Sequence, residues 1–214
     1  MNIKTIVSGQ LDVNTYVVYG EKSNECFVVD VGCASNIIRF LEENKLNCTH
    51  ILITHGHFDH ILGVAELKAA TGAKICIHEQ DAAGLYDNSI NLSSMAGAFV
   101  APSSADIILR DGDVLDILGK KIKVLHTPGH SKGGVCYLLE NERVIFSGDT
   151  LFRLSVGRTD FDNCDADALF DGIEQKLFTL EGDYTIYPGH MRSTTLTFEK
   201  ERNPFVKRRS CTLW

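Results

Sequence analysis

The stretch Thr54-His55-Gly56-His57-Phe58-Asp59-His60 places three histidines and one aspartate within six residues, directly after the apolar run Ile51-Leu52-Ile53. Imidazole and carboxylate are the groups that ligate zinc, manganese and iron. An ordinary core has no use for so many titratable side chains in one place, because unpaired polar groups are costly to bury. The stretch therefore reads as half of a metal site, delivered to a sheet edge by the strand before it. If the strand period continued through it, His55, His57 and Asp59 would share one face.

A common form, apolar strand then glycine then ligand, recurs three times further on. Val124-Leu125-His126-Thr127-Pro128-Gly129 leads to His130, Val144-Ile145-Phe146-Ser147-Gly148 to Asp149, and Tyr184-Thr185-Ile186-Tyr187-Pro188-Gly189 to His190. Glycine lets the backbone turn sharply and approach an ion closely. The set totals five histidines and two aspartates. That is enough for two metals and a water between them, which metals acidify toward hydroxide at neutral pH. Spacing alone does not divide the seven between two ions.

Apolar periodicity predicts the elements that must position these residues. Residues 2–8 and 14–19 read as strands joined by a turn around Gly9 to Asp12, and Cys26-Phe27-Val28-Val29-Asp30 as a buried strand stopped by Gly32. Ile37, Ile38, Leu41 and Leu46 recur at helical spacing, which predicts a helix over 35–46 with Ser35 or Asn36 near its N-cap. A strand over 49–53 precedes the histidine motif, a helix over 61–71 ended by Gly72 follows it, and then come a strand over 74–78 and a short helix over 79–85. Residues 86–105, rich in Asn, Ser, Gly and Ala, form a long connection placed over the site. Strands follow at 106–109, 113–118, 121–126, 134–139 and 143–147, with tight turns at Asp111-Gly112 and Asn141-Glu142. A helix over 165–178, a strand over 184–187 and a helix near 193–201 complete the chain. No stretch has the composition of a linker, so residues 1–214 read as one domain of two packed sheets with helices outside.

Composition narrows the function classes. With 214 residues, 44% hydrophobic and 23% charged, the chain has the make-up of a soluble globular protein with a substantial core. A net charge of −7 argues against a nucleic-acid partner, and the tail Lys207-Arg208-Arg209 reads as a solvated terminus. Seven scattered cysteines, odd in number and without Cys-x-x-Cys, fit a reducing compartment. The start Met1-Asn2-Ile3-Lys4-Thr5 lacks the features of a signal peptide, and no apolar run approaches membrane-spanning length. The expectation is a cytoplasmic protein with neither nucleic-acid nor membrane partner.

The histidine motif, with His130, Asp149 and His190 in order, resembles the metallo-β-lactamase superfamily over essentially the whole chain. Gly148-Asp149-Thr150-Leu151-Phe152, Val156-Gly157-Arg158-Thr159-Asp160-Phe161, Tyr187-Pro188-Gly189-His190 with Thr194-Thr195, and Glu201-Arg202-Asn203-Pro204-Phe205 resemble its short bacterial glyoxalase II-like hydrolases. The resemblance implies an α/β protein built as an αββα four-layer sandwich. It also implies the partition: His55, His57 and His130 on one metal, Asp59, His60 and His190 on the other, and Asp149 shared. Two divalent ions are the implied cofactors, zinc first, with iron or manganese accepted by the same ligands. The implied activity is that of a hydroxyacylglutathione hydrolase, in which a metal-bound hydroxide attacks a small-molecule thioester and Asp59, as ligand and hydrogen-bond acceptor, steers it.

The alternatives are a mononuclear iron persulfide dioxygenase, whose relatives also carry a Gly-Arg-Thr-Asp-Phe segment, or another hydrolase of this fold. A true β-lactamase is disfavoured, because His60 and Asp149 stand where several of those enzymes use Arg and Cys. A flavin-linked di-iron carrier usually places Glu at His57, and purely structural relatives usually lose ligands. Glyoxalase II carries a further C-terminal helical region, whereas this chain stops at Trp214, and it has a Lys and a Tyr where Arg158 and Asp160 stand here. Arg158 is therefore a candidate substrate contact through its planar fork, or a surface partner of Asp160. His50 and His78 read as structural, Cys136 and Cys164 as small buried hydrophobes, and His126 as orienting a ligand or pairing with a backbone carbonyl.

Overall fold

Two six-stranded sheets face each other in the computed structural model, which describes residues 1–9, 11–21, 23–161 and 163–206. The basic tail Lys207-Arg208-Arg209 and Cys211 lie outside the described residues. The first sheet holds β1 (Asn2–Ser8), β2 (Val13–Tyr19), β3 (Glu25–Val29), β4 (Asn47–Leu52), β5 (Lys74–His78) and β6 (Ile107–Leu109), side by side in chain order. In the second are β7 (Val114–Ile117), β8 (Lys120–His126), β9 (Val135–Leu139) and β10 (Val144–Gly148). After a small hairpin of β11 (Leu151–Phe152) and β12 (Ser155–Val156), β13 (Thr185–Pro188) and β14 (Thr194–Thr195) join β10, giving the order β14-β13-β10-β9-β8-β7. The helices are α1 (Ala34–Glu43), α2 (Phe58–Ile61), α3 (Val64–Thr71), α4 (Ser93–Ala96), α5 (Ala166–Gly172, continued by a wider turn over Ile173–Leu177) and α6 (Leu196–Arg202).

The continuous apolar runs have a simple cause: the central strands are buried on both faces, so successive side chains enter different cores. On β3, Cys26 and Val28 face Ile37 and Leu41 of α1 and Val64 and Leu67 of α3. Phe27 and Val29 face the opposite sheet, where they join Val124, Tyr137 and Phe146. On the far side, Cys136, Leu138 and Ile145 pack against Leu169, Ile173 and Leu177. Three apolar layers thus separate helix, sheet, sheet and helix, and the αββα sandwich expected from the sequence is the observed fold.

Strand direction explains why the site lies at one edge. β3, β4 and β5 run parallel, as do β10 and β13, so their C-terminal ends point the same way within each sheet. β8 is antiparallel to β9 and β9 to β10, which returns the end of β8 to the same edge as that of β10. Backbone bonds stitch the two edges together: Val135 N–H donates to the Thr54 carbonyl at 2.9 Å and Asn14 N–H to the Gly189 carbonyl at 2.8 Å.

Two local expectations are corrected. The cap of α1 is Cys33, not Ser35 or Asn36, because the entry to this helix is set by packing: Gly63 N–H donates to the Val31 carbonyl at 3.0 Å, and a Cβ on Gly63 would collide with the backbone of Ala34. The helix expected over 61–71 begins earlier and is broken at Leu62 and Gly63, so α2 lies inside the histidine motif. The expected turn at Asp111-Gly112 is present, with Asp113 N–H donating to the Arg110 carbonyl at 3.2 Å, and it is the crossover between sheets, since β6 pairs with β5 and β7 with β8.

Tyr137 is buried, and its hydroxyl crosses the inter-sheet core to donate to the Ile53 carbonyl at 2.7 Å, just before the histidine motif. Tyr137→Phe removes the donor and leaves that carbonyl without it. The expected cost is about 1–3 kcal/mol, read as a lower denaturant midpoint at unchanged m-value.

Candidate metal centre

The histidine motif leaves β4 and does not stay extended. Asn91 accepts from the Phe58 N–H at 2.8 Å, and the chain turns into α2 with His57 at its N-cap. That turn overrides the simple alternation: His57 is turned toward His130 and Asp59 toward His190, while the His55 and His60 rings stay together with centroids 4.1 Å apart. His130 follows Gly129, whose φ of +133° and contact with the backbone of Leu169 exclude a side chain. Gly189 is fixed for a more direct reason, since a Cβ there would overlap the Asp149 carboxylate and the His60 ring. His190 is held from the neighbouring sheet: Asn14 Nδ2 donates to the Pro188 and Met191 carbonyls at 3.0 and 2.7 Å, and the Tyr16 hydroxyl donates to Pro188 at 2.6 Å.

All seven candidate ligands converge. The ligand atoms of His55, His57 and His130 lie within 4.8 Å of one another, as do those of Asp59, His60 and His190, and those of His55, His60 and Asp149. His57 Nδ1 faces His130 Nε2 at 2.9 Å, and His60 Nε2 faces His190 Nε2 at 3.3 Å. Asp149 Oδ2 lies between the halves, 3.5 Å from both His130 Nε2 and His190 Nε2. Asp59 Oδ2 is 3.3 Å from His190 Nε2 and 3.6 Å from His60 Nε2. His50 and His78 stay outside the cluster: His50 contacts Thr49, and His78 stacks on His126 at 4.1 Å. His126 in turn meets the Lys132 carbonyl at 2.9 Å, which ties down the loop bearing His130.

Hydrogen bonds on the far side of three rings decide which nitrogen offers a lone pair. His130 Nδ1 is 2.8 Å from the Arg158 carbonyl, which only accepts, so Nδ1 carries the proton. His60 Nδ1 donates to Asp30 Oδ2 at 2.8 Å. Thr54 Oγ1 donates to the other side of the same oxygen at 2.7 Å and is left to accept from His55 Nδ1 at 3.1 Å. The Nε2 atoms of all three rings therefore point bare lone pairs inward, the arrangement that orients metal-binding histidines. Among the described residues, His55 Nε2 and Asp149 Oδ1 are buried without a hydrogen-bond partner. Lone pairs facing lone pairs and carboxylates need a cation between them, and the cluster fits a dinuclear metal site.

The two halves differ electrically. Burial opposes charge on His60, yet Asp59, Asp149 and Asp30 outweigh it and raise the ring to about 10. Burial likewise opposes charge on Asp59, but His60 and His190 hold its carboxyl well below the usual range. In the other half, burial and the adjacent His130 lower His57 to about 3, and burial among four imidazoles drives His55 well below 6.5.

A cavity of about 640 Å³ opens above the cluster, floored by His57, Asp59, His130, Asp149 and His190. Leu92, Met95 and Ala96 line it, so part of the long connection does cover the site as expected. Arg158 reaches the rim, forked onto Asp160 by two bonds of 2.7 Å.

Two aspartates that spacing did not single out hold the site together. Asp30, after β3, accepts from Thr54 N–H at 2.8 Å as well as from Thr54 Oγ1 and His60. Asp81, after β5, accepts from Gly56 N–H at 2.8 Å, Ser131 Oγ at 2.7 Å and Gly133 N–H at 2.6 Å, clamping the loop of His55 and His57 to that of His130. Asp30 carries the same signal as Asp149, an acid ending an apolar strand. Asp81 carries none.

Such an edge cluster on an αββα sandwich belongs to a metallo-hydrolase. Residues 8–211 match the Metallo-beta-lactamase superfamily, and the chain belongs to that superfamily. It is 32% identical to the hydroxyacylglutathione hydrolase GloC of Haemophilus influenzae, over 98% of this chain and 100% of that protein. The crystal structure of BLEG-1 B3 metallo-beta-lactamase superposes with a TM-score of 0.92 at 35% identity, covering 96% of this chain and 99% of the other. TTHA1623 in a di-iron-bound form gives a TM-score of 0.84 at 32% identity, with 94% and 99% covered.

Two outcomes follow from this geometry. Asp30→Asn, which disturbs the orientation of His60, is expected to weaken metal binding about 10- to 100-fold, read by competition with a chelator. In metal-stripped protein His60 sits at about 10 against an ordinary 6.5, so its proton stabilises the fold fully below 6.5 and that stabilisation is lost as pH rises through 10. Zinc must displace this proton, so its uptake is expected to release a proton and to tighten from pH 6.5 toward 10. Calorimetric titration in buffers of different ionisation enthalpy measures both.

Proposed function

We propose that the protein is a dinuclear metal-dependent hydrolase that cleaves a small thioester. The carrying observation is the set of seven converging ligand-type groups, five of them on the cavity floor, in a chain that aligns end to end with a hydroxyacylglutathione hydrolase. Two divalent ions bound there supply Lewis acidity and an acidified water. His55, His57 and His130 would hold one, Asp59, His60 and His190 the other, with Asp149 placed between the two groups. Zinc is the proposed ion, and the di-iron form of a relative makes iron the rival to measure.

The remaining roles belong to side chains. Asp59, kept anionic by His60 and His190, accepts a hydrogen bond from the attacking water and sets its direction. Arg158 on the rim contacts the body of the substrate. A thiolate leaves without strong acid assistance, which suits a cavity floor built of ligand groups with no free acid. Cytoplasmic residence is proposed on the six described cysteines, all of them free thiols, and none of the described helices is long and apolar enough to cross a membrane. Hydrolysis of β-lactams is the second reading, favoured by the similarity to BLEG-1.

Purified protein is assayed for metal content and with a thioester panel, a chromogenic cephalosporin and glutathione persulfide with oxygen uptake. Thioester turnover with two metals per chain is the expected result. Cephalosporin turnover alone, or oxygen consumption with one iron, replaces this reading with the corresponding rival. Asp149→Ala is expected to lower kcat/KM about a hundredfold or more, about 3 kcal/mol of barrier, with loss of bound metal. Near-normal turnover and metal content in that variant overturn the proposal.

A further inference from the structure

The walls above the metal cluster differ sharply in character from its floor. Leu11, Leu92, Met95, Phe152, Phe161 and Met191 all line the cavity. They come from widely separated parts of the chain, and three stand in water at the mouth: Leu11 is 53% exposed, Met95 75% and Met191 60%. Large apolar side chains gathered on one concave rim mark a binding surface.

Charge at the rim leads to the same class of ligand. Among the described lining residues Arg158 is the single lysine or arginine. Its Nε and one terminal nitrogen each donate to an oxygen of Asp160 at 2.7 Å, and its guanidinium lies 4.1 Å over the Phe161 ring. The fork on the Nε side, one of the edges by which a guanidinium recognises a carboxylate, is already filled by Asp160, and one face of the plane is covered by an aromatic ring.

We infer that the site selects thioesters whose body is apolar and uncharged, and that Asp160 enforces this by occupying the guanidinium of Arg158 against anionic carriers. The inference rests on the thioesterase reading for its reaction but not for its binding chemistry. Arg158 then serves as part of the cavity wall, offering substrate a neutralised plane backed by Phe161. A carrier with free carboxylates meets the Asp160 carboxylate beside the guanidinium and must displace it to use that fork. Because the Arg158 and Asp160 side chains are 58% and 66% exposed, that discrimination is modest. Gain from the apolar walls is cumulative, about fourfold for each buried methylene.

The test uses metal-loaded protein and two matched series: straight-chain acyl thioesters of the uncharged thiol N-acetylcysteamine and of glutathione. Non-hydrolysable S-alkyl thioethers of both thiols are titrated by calorimetry in parallel. Affinity and kcat/KM are expected to climb about fourfold per methylene over the first few and to favour the neutral carrier. Asp160→Asn is expected to raise the glutathione-to-neutral ratio of affinities about fivefold. Met95→Ser is expected to flatten the dependence on chain length. Thioether binding that favours glutathione and ignores chain length overturns the inference, as does an unchanged carrier ratio in Asp160→Asn. Length-dependent binding of the neutral thioethers without turnover of any thioester sustains it while overturning the thioesterase reading.

Discussion

One buried carboxylate fixes much of the site. Asp30 follows β3 in a left-handed backbone conformation, φ 55°, which aspartate tolerates better than most residues. Its two oxygens accept from the backbone and hydroxyl of Thr54 and from His60 Nδ1, joining β3, the end of β4 and helix α2. The consequence is chemical as well as mechanical. By accepting from His60 directly, and by claiming the Thr54 proton so that Thr54 can only accept from His55, Asp30 sets which nitrogen of two rings stays bare. A buried carboxylate is costly unless its lone pairs are met, and here meeting them is the same act as aiming two ligands.

Asp81 is the counterpart on the other side of β4. It closes on two backbone N–H groups and a serine hydroxyl, from the loops that present His55 and His57 and that present His130. Since β3, β4 and β5 are parallel, the residues following each arrive at one edge, and the middle loop, which carries the histidines, is flanked by an acid on either side. The second sheet repeats the device with backbone in place of side chain: Gly189 N–H donates to the Gly148 carbonyl at 2.8 Å, locking the Asp149 turn to the His190 turn. The ligand set is thus held by strand ends and short bonds, and no long side chain is needed to bring it together.

The candidate ligands that cluster were legible in the sequence because each belongs to a local pattern, a run of apolar residues ending in glycine or histidine. Strand and helix positions were legible for the same reason, since β3, β9 and β10 are buried on both faces and read as unbroken apolar text. What escaped was set by contacts between distant segments. Helix α2 starts at Phe58 because Asn91 accepts its N–H, and α1 starts at Ala34 because Gly63 and Val31 meet there. Asp81 has nothing in its neighbours to mark it, and its three donors lie at Gly56, Ser131 and Gly133. The pairing of β5 with β6, and of β7 with β8, depends on which sheet each joins after Asp111-Gly112, and a turn motif has no information about that.

Floor and wall divide the work of the cavity. The floor is a surplus of lone pairs and carboxylates, so burial there is tolerable only with positive charge supplied, whether as protons on His60 and His190 or as ions. Metal ions held there would supply an acidified water able to serve any activated carbonyl within reach, which would leave the floor insensitive to the identity of the substrate. Selection must then come from the walls, where the magnitudes are small per contact and add. An exposed ion pair such as Arg158–Asp160 is worth little, whereas a few methylenes against Phe152, Phe161 and Leu92 contribute about 0.8 kcal/mol each. The apolar walls therefore outweigh the rim charge in choosing substrate, while the rim charge decides only between carriers of equal apolar content.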